Sequence, residues 1–326
     1  MRAIHPNARE GSGIPTARGP PIGDIFPVMA SALTFRLALP RGYPVARTLA
    51  YLGRDPASLT MRAEGRSFAL GLWLDGRPAA LAVELARGAA SATVKARRSL
   101  PPDAEPQARD SLSRLLGLNR DPRPFERHVS AAPALAPLIA GRRGLRILQT
   151  PDPFDGLIWA IVGQQINLAF AFTLRRRLVE RAGTPVLAGL CAPPTAERVA
   201  GLEIEELTRD QFSRRKAEYL IGAARRIAAG ELDLERLAAA PAAEAEAELL
   251  AVRGLGPWSA HYLMMRAFGF EDCVPVGDSG LVRGLMKFFR LAERPGPGAT
   301  RELMRPFAPY RSWATFHLWQ SLRDEP

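Results

Sequence analysis

Residues 249–281 read LLAVRGLGPWSAHYLMMRAFGFEDCVPVGDSGL, and this stretch decides the fold. The apolar spacing predicts a helix ending at Arg253, a turn at Gly254-Leu255-Gly256 and a second helix from Pro257 to about Phe268. Proline is tolerated at the first helical position, and Gly269 is a natural stop. Glycines in the turn permit unusual backbone angles or close approach by another molecule. A hairpin of this kind points backbone N–H groups, backed by the positive end of a helix, at a phosphate. Gly254 and Gly256 are the expected donors, with Ser259 adding one more. Twenty-two residues after Gly256, Asp278 stands where it can N-cap a third helix running from about Ser279 to Arg290.

The pattern Leu-x-x-Val-x-Gly-Leu-Gly-x-Trp-x-Ala-x-Tyr, from Leu249 to Tyr262, resembles the helix-hairpin-helix of the DNA glycosylase superfamily, in its DNA-3-methyladenine glycosylase II (alkylbase) branch. Val274-Pro-Val-Gly-Asp-Ser-Gly-Leu281 resembles the loop that carries the catalytic aspartate there. The resemblance implies that Asp278 stabilises the oxocarbenium-like sugar of a glycosidic-bond cleavage, or activates the attacking water. An ordinary N-cap accounts for the residue equally well from its position alone. Bifunctional relatives carry a Schiff-base lysine where this chain has Trp258, so strand cleavage is not expected. Trp258 and Tyr262, four residues apart, share a helix face. They either line a base pocket, where an indole suits an electron-poor purine, or pack as core.

Two further segments carry the resemblance. Pro153-Phe-Asp-Gly-Leu-Ile-Trp-Ala-Ile-Val-Gly-Gln-Gln-Ile-Asn167 is an apolar helix broken at Gly163-Gln164-Gln165, with Asn167 opening the next helix. It is similar to the family's wedge turn, whose side chains fill the space of the extruded nucleotide. Two glutamines between apolar flanks need partners, in DNA or at a polar helix corner. The segment 306–320 resembles the terminal Pro-Trp-Arg-Ser-x-Ala helix, in which Trp319 corresponds to a pocket aromatic. Trp313, Phe316 and Trp319 also fall at the spacing of a core stripe. Arg311 is suited to a phosphate or to an acidic partner. Arg214-Arg215-Lys216 forms either a basic face near DNA or a solvated helix end. A monovalent cation on hairpin carbonyls would fit the family, and no other metal or cofactor is expected.

Composition sets the bounds. With 326 residues, 47% hydrophobic and no apolar run of about 18, a globular chain rather than a membrane protein is expected. Cys191 and Cys273 suit a reducing cytoplasm, in which a bacterial, nucleoid-associated monomer is expected. They exclude the four-cysteine iron–sulfur cluster of some relatives. The net charge of +11 suits a polyanion. Residues 1–118 carry a balance of +7 and residues 119–326 only +4, so charge does not locate the interface. Lysine occurs only at 95, 216 and 287.

The expected organisation is a disordered tail over 1–28, rich in Gly, Pro and Arg, with Met29 as an alternative start. A small α/β domain over 29–118 follows, with strands near 33–39, 67–74 and 79–85, a helix at 43–52 and a turn at Asp75-Gly76-Arg77-Pro78. A two-subdomain helical body over 119–326 holds the hairpin at 249–268 and the catalytic loop at 271–281. The fold class is therefore mostly α with an α/β appendage. The implied function is excision of flipped-out alkylated purines (3-methyladenine, 7-methylguanine type) from double-stranded DNA, without lyase action. A non-catalytic hairpin DNA-binding protein and a glycosylase for oxidised guanine are the alternatives.

Overall fold

The computed structural model describes residues 31–187 and 189–324. The tail expected over 1–28, and Met29, lie outside the described residues. The chain opens with β1 (Ser31–Ala38) and α1 (Val45–Leu52). The strands β2 (Met61–Glu64), β3 (Ser67–Leu74), β4 (Arg77–Ala86) and β5 (Ala89–Ala96) follow. They form one antiparallel sheet in the order β1-β5-β4-β3-β2. The three strands legible as alternating patterns are present, and β2 and β5 join them. The β5 sequence AASATVKA does alternate, but with alanine, whose small apolar surface makes the pattern faint.

In β3 the side chains of Phe68, Leu70, Leu72 and Leu74 face the main core. Ala69, Gly71 and Trp73 face the other way. That second face is covered by a hairpin of β6 (Thr184–Leu187) and β7 (Leu190–Ala192), contributed from within the helical half and absent from the sequence reading. Gly71 explains how close it comes: a Cβ there would lie 2.1 Å from the Cys191 carbonyl oxygen. Trp73 Nε1 donates to the Pro193 carbonyl over 2.8 Å. A division of the chain near residue 118 is thus crossed by packing from both sides.

The helical body comprises α2 (Ala104–Leu115), α3 (Arg123–Ser130), α4 (Pro153–Val162), α5 (Leu168–Ala182), α6 (Ala196–Ala200), α7 (Ile204–Arg209), α8 (Arg214–Ala228), α9 (Leu234–Ala239), α10 (Ala242–Leu250), α11 (Pro257–Leu263), α12 (Ser279–Phe289), α13 (Pro297–Met304) and α14 (Arg311–Ser321). A short 3-10 turn at Ala136–Ile139 follows α3. The hairpin's second helix loosens into π geometry over Met264–Phe268 before Gly269, at φ 78°, ends it. One lobe packs α4 against α5, α8 and α11; the other packs α12 and α13 with α14 and the 3-10 turn. Trp313 is fully buried in the second lobe, stacked 6.2 Å from Phe125. Among the described residues no helix is long and apolar enough to cross a membrane.

Candidate active site

A cleft of ≈ 1160 Å³ runs between the lobes, bounded by α1, the turn after α4, the hairpin, the start of α12 and the end of α14. Asp278 sits at its wall as the N-cap of α12, its Oδ1 accepting the Leu281 N–H over 2.7 Å. Trp319 Nε1 donates to the same oxygen over 2.8 Å, and Trp258 Nε1 donates to Oδ2 over 3.1 Å. Three N–H donors aimed at two oxygens is the arrangement a carboxylate needs. The N-cap and catalytic readings are therefore compatible, since one oxygen serves both.

The donors are also the walls. Trp258 stacks on Tyr262 with ring centroids 5.3 Å apart and planes 24° apart, and Tyr262 lies 6.2 Å from Trp319. Burial pushes the Tyr262 phenol upward from its usual range. Gly280, passed over in the sequence, makes this possible. A Cβ at that position would stand 3.0 Å from the Trp319 ring and 3.1 Å from Asp278 Oδ1.

The loop bearing Asp278 is clamped on two sides. His261, on α11, meets the Val274 backbone through Nδ1 and Glu246 through Nε2 at 3.0 Å. On the α14 side Arg311 forms a two-pronged ion pair with Asp272, both contacts 2.7 Å, so its partner is an acid of the protein. Hydrogen bonds within that pair hold the Asp272 carboxyl below its usual range against the effect of burial. The Cys273 N–H donates to Ser312 Oγ over 2.8 Å.

The hairpin glycines differ in purpose. Gly254 has φ +95°, and a Cβ there would stand 2.2 Å from the Tyr219 ring, so the fold itself demands glycine. At Gly256 a Cβ would meet nothing within 4 Å, and the backbone is extended. Nothing inside the protein needs that space. Ser259 is 2% exposed, and its hydroxyl donates to the Ala160 carbonyl over 3.2 Å. Only its N–H, in the first turn of α11, remains to be offered outward.

Gln164 does not reach outward. Its Nε2 donates to the Gly254 carbonyl (2.8 Å) and to Ser259 Oγ (2.9 Å), stitching the α4 turn to the hairpin. Its amide N–H groups are thus satisfied within the protein. Gln165 is exposed, in left-handed geometry at φ 54°. Asn167 is exposed and N-caps α5, its Oδ1 accepting the Phe170 N–H over 2.9 Å. Beside them Leu168 stands 50% exposed on the cleft, an apolar side chain that the sequence reading missed. Its place in a helical run hid it. Lys216 lies half-buried, donating from Nζ to the Val162 and Gln164 carbonyls at 2.5 and 2.7 Å, so it braces this turn. Burial lowers its ammonium to about 8. Of the hairpin carbonyls suited to a cation, that of Gly254 already accepts Gln164 and that of Val252 accepts the Leu255 N–H. Each keeps one lone pair. Among the described residues no cluster of His, Cys, Asp and Glu could hold a metal ion.

Comparison with known proteins fits this geometry. Residues 158–309 match the family described as HhH-GPD superfamily base excision DNA repair protein. The chain is 36% identical over 208 residues to a DNA-3-methyladenine glycosylase of Bacillus subtilis, covering 63% of this chain and 69% of that one. It is 29% identical over 199 residues to DNA-3-methyladenine glycosylase 2 of Escherichia coli, covering 59% and 66%. In fold it resembles a 3-methyladenine DNA glycosylase from Archaeoglobus fulgidus, with TM-score 0.77 and 24% identity, over 89% of this chain and 98% of that one. The chain belongs to the HhH-GPD superfamily of base excision DNA repair proteins, in its DNA-3-methyladenine glycosylase branch.

Proposed function

We propose that the protein is a monofunctional DNA glycosylase that removes alkylated purines of the 3-methyladenine and 7-methylguanine type from duplex DNA. The observation that carries this reading is the Asp278 carboxylate, held at the cleft by two indole N–H groups whose rings, with that of Tyr262, form an aromatic wall. A base inside the stack is out of reach of such a site, so the nucleotide must rotate out, and a damaged base does so more readily. Gly254, Gly256 and the free N–H groups of α11 grip the backbone beside the lesion. Gln165 and Leu168 project from the α4–α5 turn and fill the vacated stack, while Gln164 and Lys216 hold that turn in place.

The extruded base then lies against Trp258, Tyr262 and Trp319, where ring faces attract an electron-poor purine. Its sugar comes over Asp278. As the C1′–N bond lengthens, positive charge grows on the sugar and the carboxylate stabilises it. With three N–H bonds already accepted, Asp278 acts mainly through its charge, its remaining lone pair orienting the water that attacks C1′. Alkylation at N3 or N7 makes the base a good leaving group, so this assistance suffices. Among the described residues no lysine lines the cleft, and Trp258 fills the position of the lyase amine, so no Schiff base forms. The protein works as a monomer on DNA at the nucleoid of a bacterial cytoplasm.

Incubation of the protein with methylated duplex DNA, followed by chromatography of the freed bases, tests the reading. Release of methylated purines that stops in Asp278→Asn is expected. Equal release by that variant, or strand nicking at abasic sites without added base, would refute it.

A further inference from the structure

The cleft has a second polar centre that the chemistry at Asp278 does not use. Arg54, Arg266 and Arg323 line it and gather around one buried phenol, Tyr51. Their guanidinium carbons lie 4.1, 5.2 and 5.6 Å from the Tyr51 ring centroid. Arg266 Nη1 donates to the Tyr51 hydroxyl, and the Arg54 guanidinium lies over the face of its ring. Among the described residues no acceptor takes the phenol's own proton, which is left to be given away.

Among the described residues no carboxylate pairs with any of the three arginines. The neighbours that act on Arg266 are Tyr51 and Tyr262, and those that act on Arg323 are Arg54 and Tyr51. Arg266 is 4% exposed, and its Nε has no hydrogen-bond partner. Burial of unpaired donors and cations is costly, so such a cluster is matched when a ligand brings acceptors. The field is strong enough to bring the Tyr51 phenol down to about 8 despite its burial, through Arg266 and Arg54. Gln320, 5% exposed, supplies an amide of either polarity beside them.

Tyr262 stands between the two centres, within electrostatic reach of Asp278 and of Arg54 and Arg266. A purine joined through N9 to a sugar over Asp278 turns its C6 edge to the far end of its ring. We infer that the Tyr51–Arg54–Arg266–Arg323 wall reads the exocyclic group on that edge, favouring an oxo group over an amino group. This deepens the proposed function and rests on it. An oxo oxygen accepts from the surplus donors, whereas an amino group faces donors with a donor and leaves both unpaired. Guanine-type lesions are thereby favoured over adenine-type ones beyond what leaving-group chemistry supplies.

Methylated duplex DNA carries 7-methylguanine and 3-methyladenine together, so one reaction with the full-length protein measures their release ratio. Arg323→Ala, on the exposed turn after α14, and Tyr51→Phe, which keeps the ring, are expected to shift it. The ratio of 7-methylguanine to 3-methyladenine should fall about tenfold in the first and at least threefold in the second, relative to the unaltered protein. Partial unfolding lowers both releases together and leaves the ratio where it was. A ratio within twofold of the unaltered protein in both variants overturns the inference, whatever the absolute rates. If the unaltered protein freed neither base, the glycosylase reading itself would fall, which is a distinct outcome.

Discussion

The two polar centres of the cleft are built on opposite principles. At Asp278 every contact is internal: two indoles and a backbone N–H converge on one carboxylate, and the supporting loop is clamped by His261 and by the Arg311–Asp272 pair. At Tyr51 three guanidiniums crowd one phenol ring, and among the described residues none of them has a carboxylate partner. The first centre is complete before any ligand arrives, as suits a group that must stabilise charge without moving. The second is incomplete on its own, which suits a group that discriminates by what the ligand brings.

Changes at the complete centre should have the largest effects. Asp278→Asn keeps the size and the N-cap but removes the charge. Single-turnover base release is expected to fall at least about 100-fold, with affinity for abasic duplex DNA little altered. Retained rates would mean that the saturated carboxylate is only a cap. Gly280→Val pushes a branched side chain into the contact between Trp319 and Asp278, and release should drop about tenfold. If the rate held, the indole donor would not matter to the chemistry.

Gly256→Val tests the DNA side of the same comparison. Since open space surrounds that position, the fold should be unharmed and the melting temperature steady. Duplex affinity in a fluorescence titration should weaken several-fold, because the branched chain blocks approach to the N–H groups. Unchanged affinity would move the phosphate grip elsewhere.

The smallest effect on base release per folded molecule is expected away from both centres, at His317. Burial, with Arg142 behind it, lowers that imidazole to about 3. The folded value lies below the ordinary 6.5, so the unfolded chain binds the extra proton. Stability is therefore full above pH 6.5 and is lost as pH falls toward 3, by about 1.4 kcal/mol per pH unit. Denaturant titrations from pH 7 to 4 read this slope. His317→Leu should flatten it, and an unaltered slope would assign acid sensitivity to other groups.

What was legible in the sequence follows from distance along the chain. The hairpin, the N-cap at Asp278 and the Trp258–Tyr262 face lie within one stretch, where helical periodicity and turn chemistry fix spatial neighbours. The aromatic set around Asp278 required Trp319, 41 residues on, and only its motif hinted at the meeting. Gln164 shows the opposite case. A polar residue between apolar flanks needs a partner, but nothing local tells a reader that Gly254, 90 residues away, provides it. The β6–β7 hairpin escaped notice because it is short and takes its partner surface from the other half of the chain. Tyr51 falls at the end of the helix expected at 43–52 and Arg54 lies just beyond it, and nothing local marks either one.

By itself, then, the sequence determined the glycine turn at Gly254 and Gly256, the N-capping acid at Asp278 and, through Trp258, the absence of an amine at that position. These depend on residue type and short spacing, which local geometry preserves. The tertiary structure alone decided which side chains line the cleft and which merely brace it, because long-range packing sets burial and hydrogen-bond partnership. It turned Gln164 inward, left Leu168 exposed and brought Arg54, Arg266 and Arg323 around Tyr51 in the cleft.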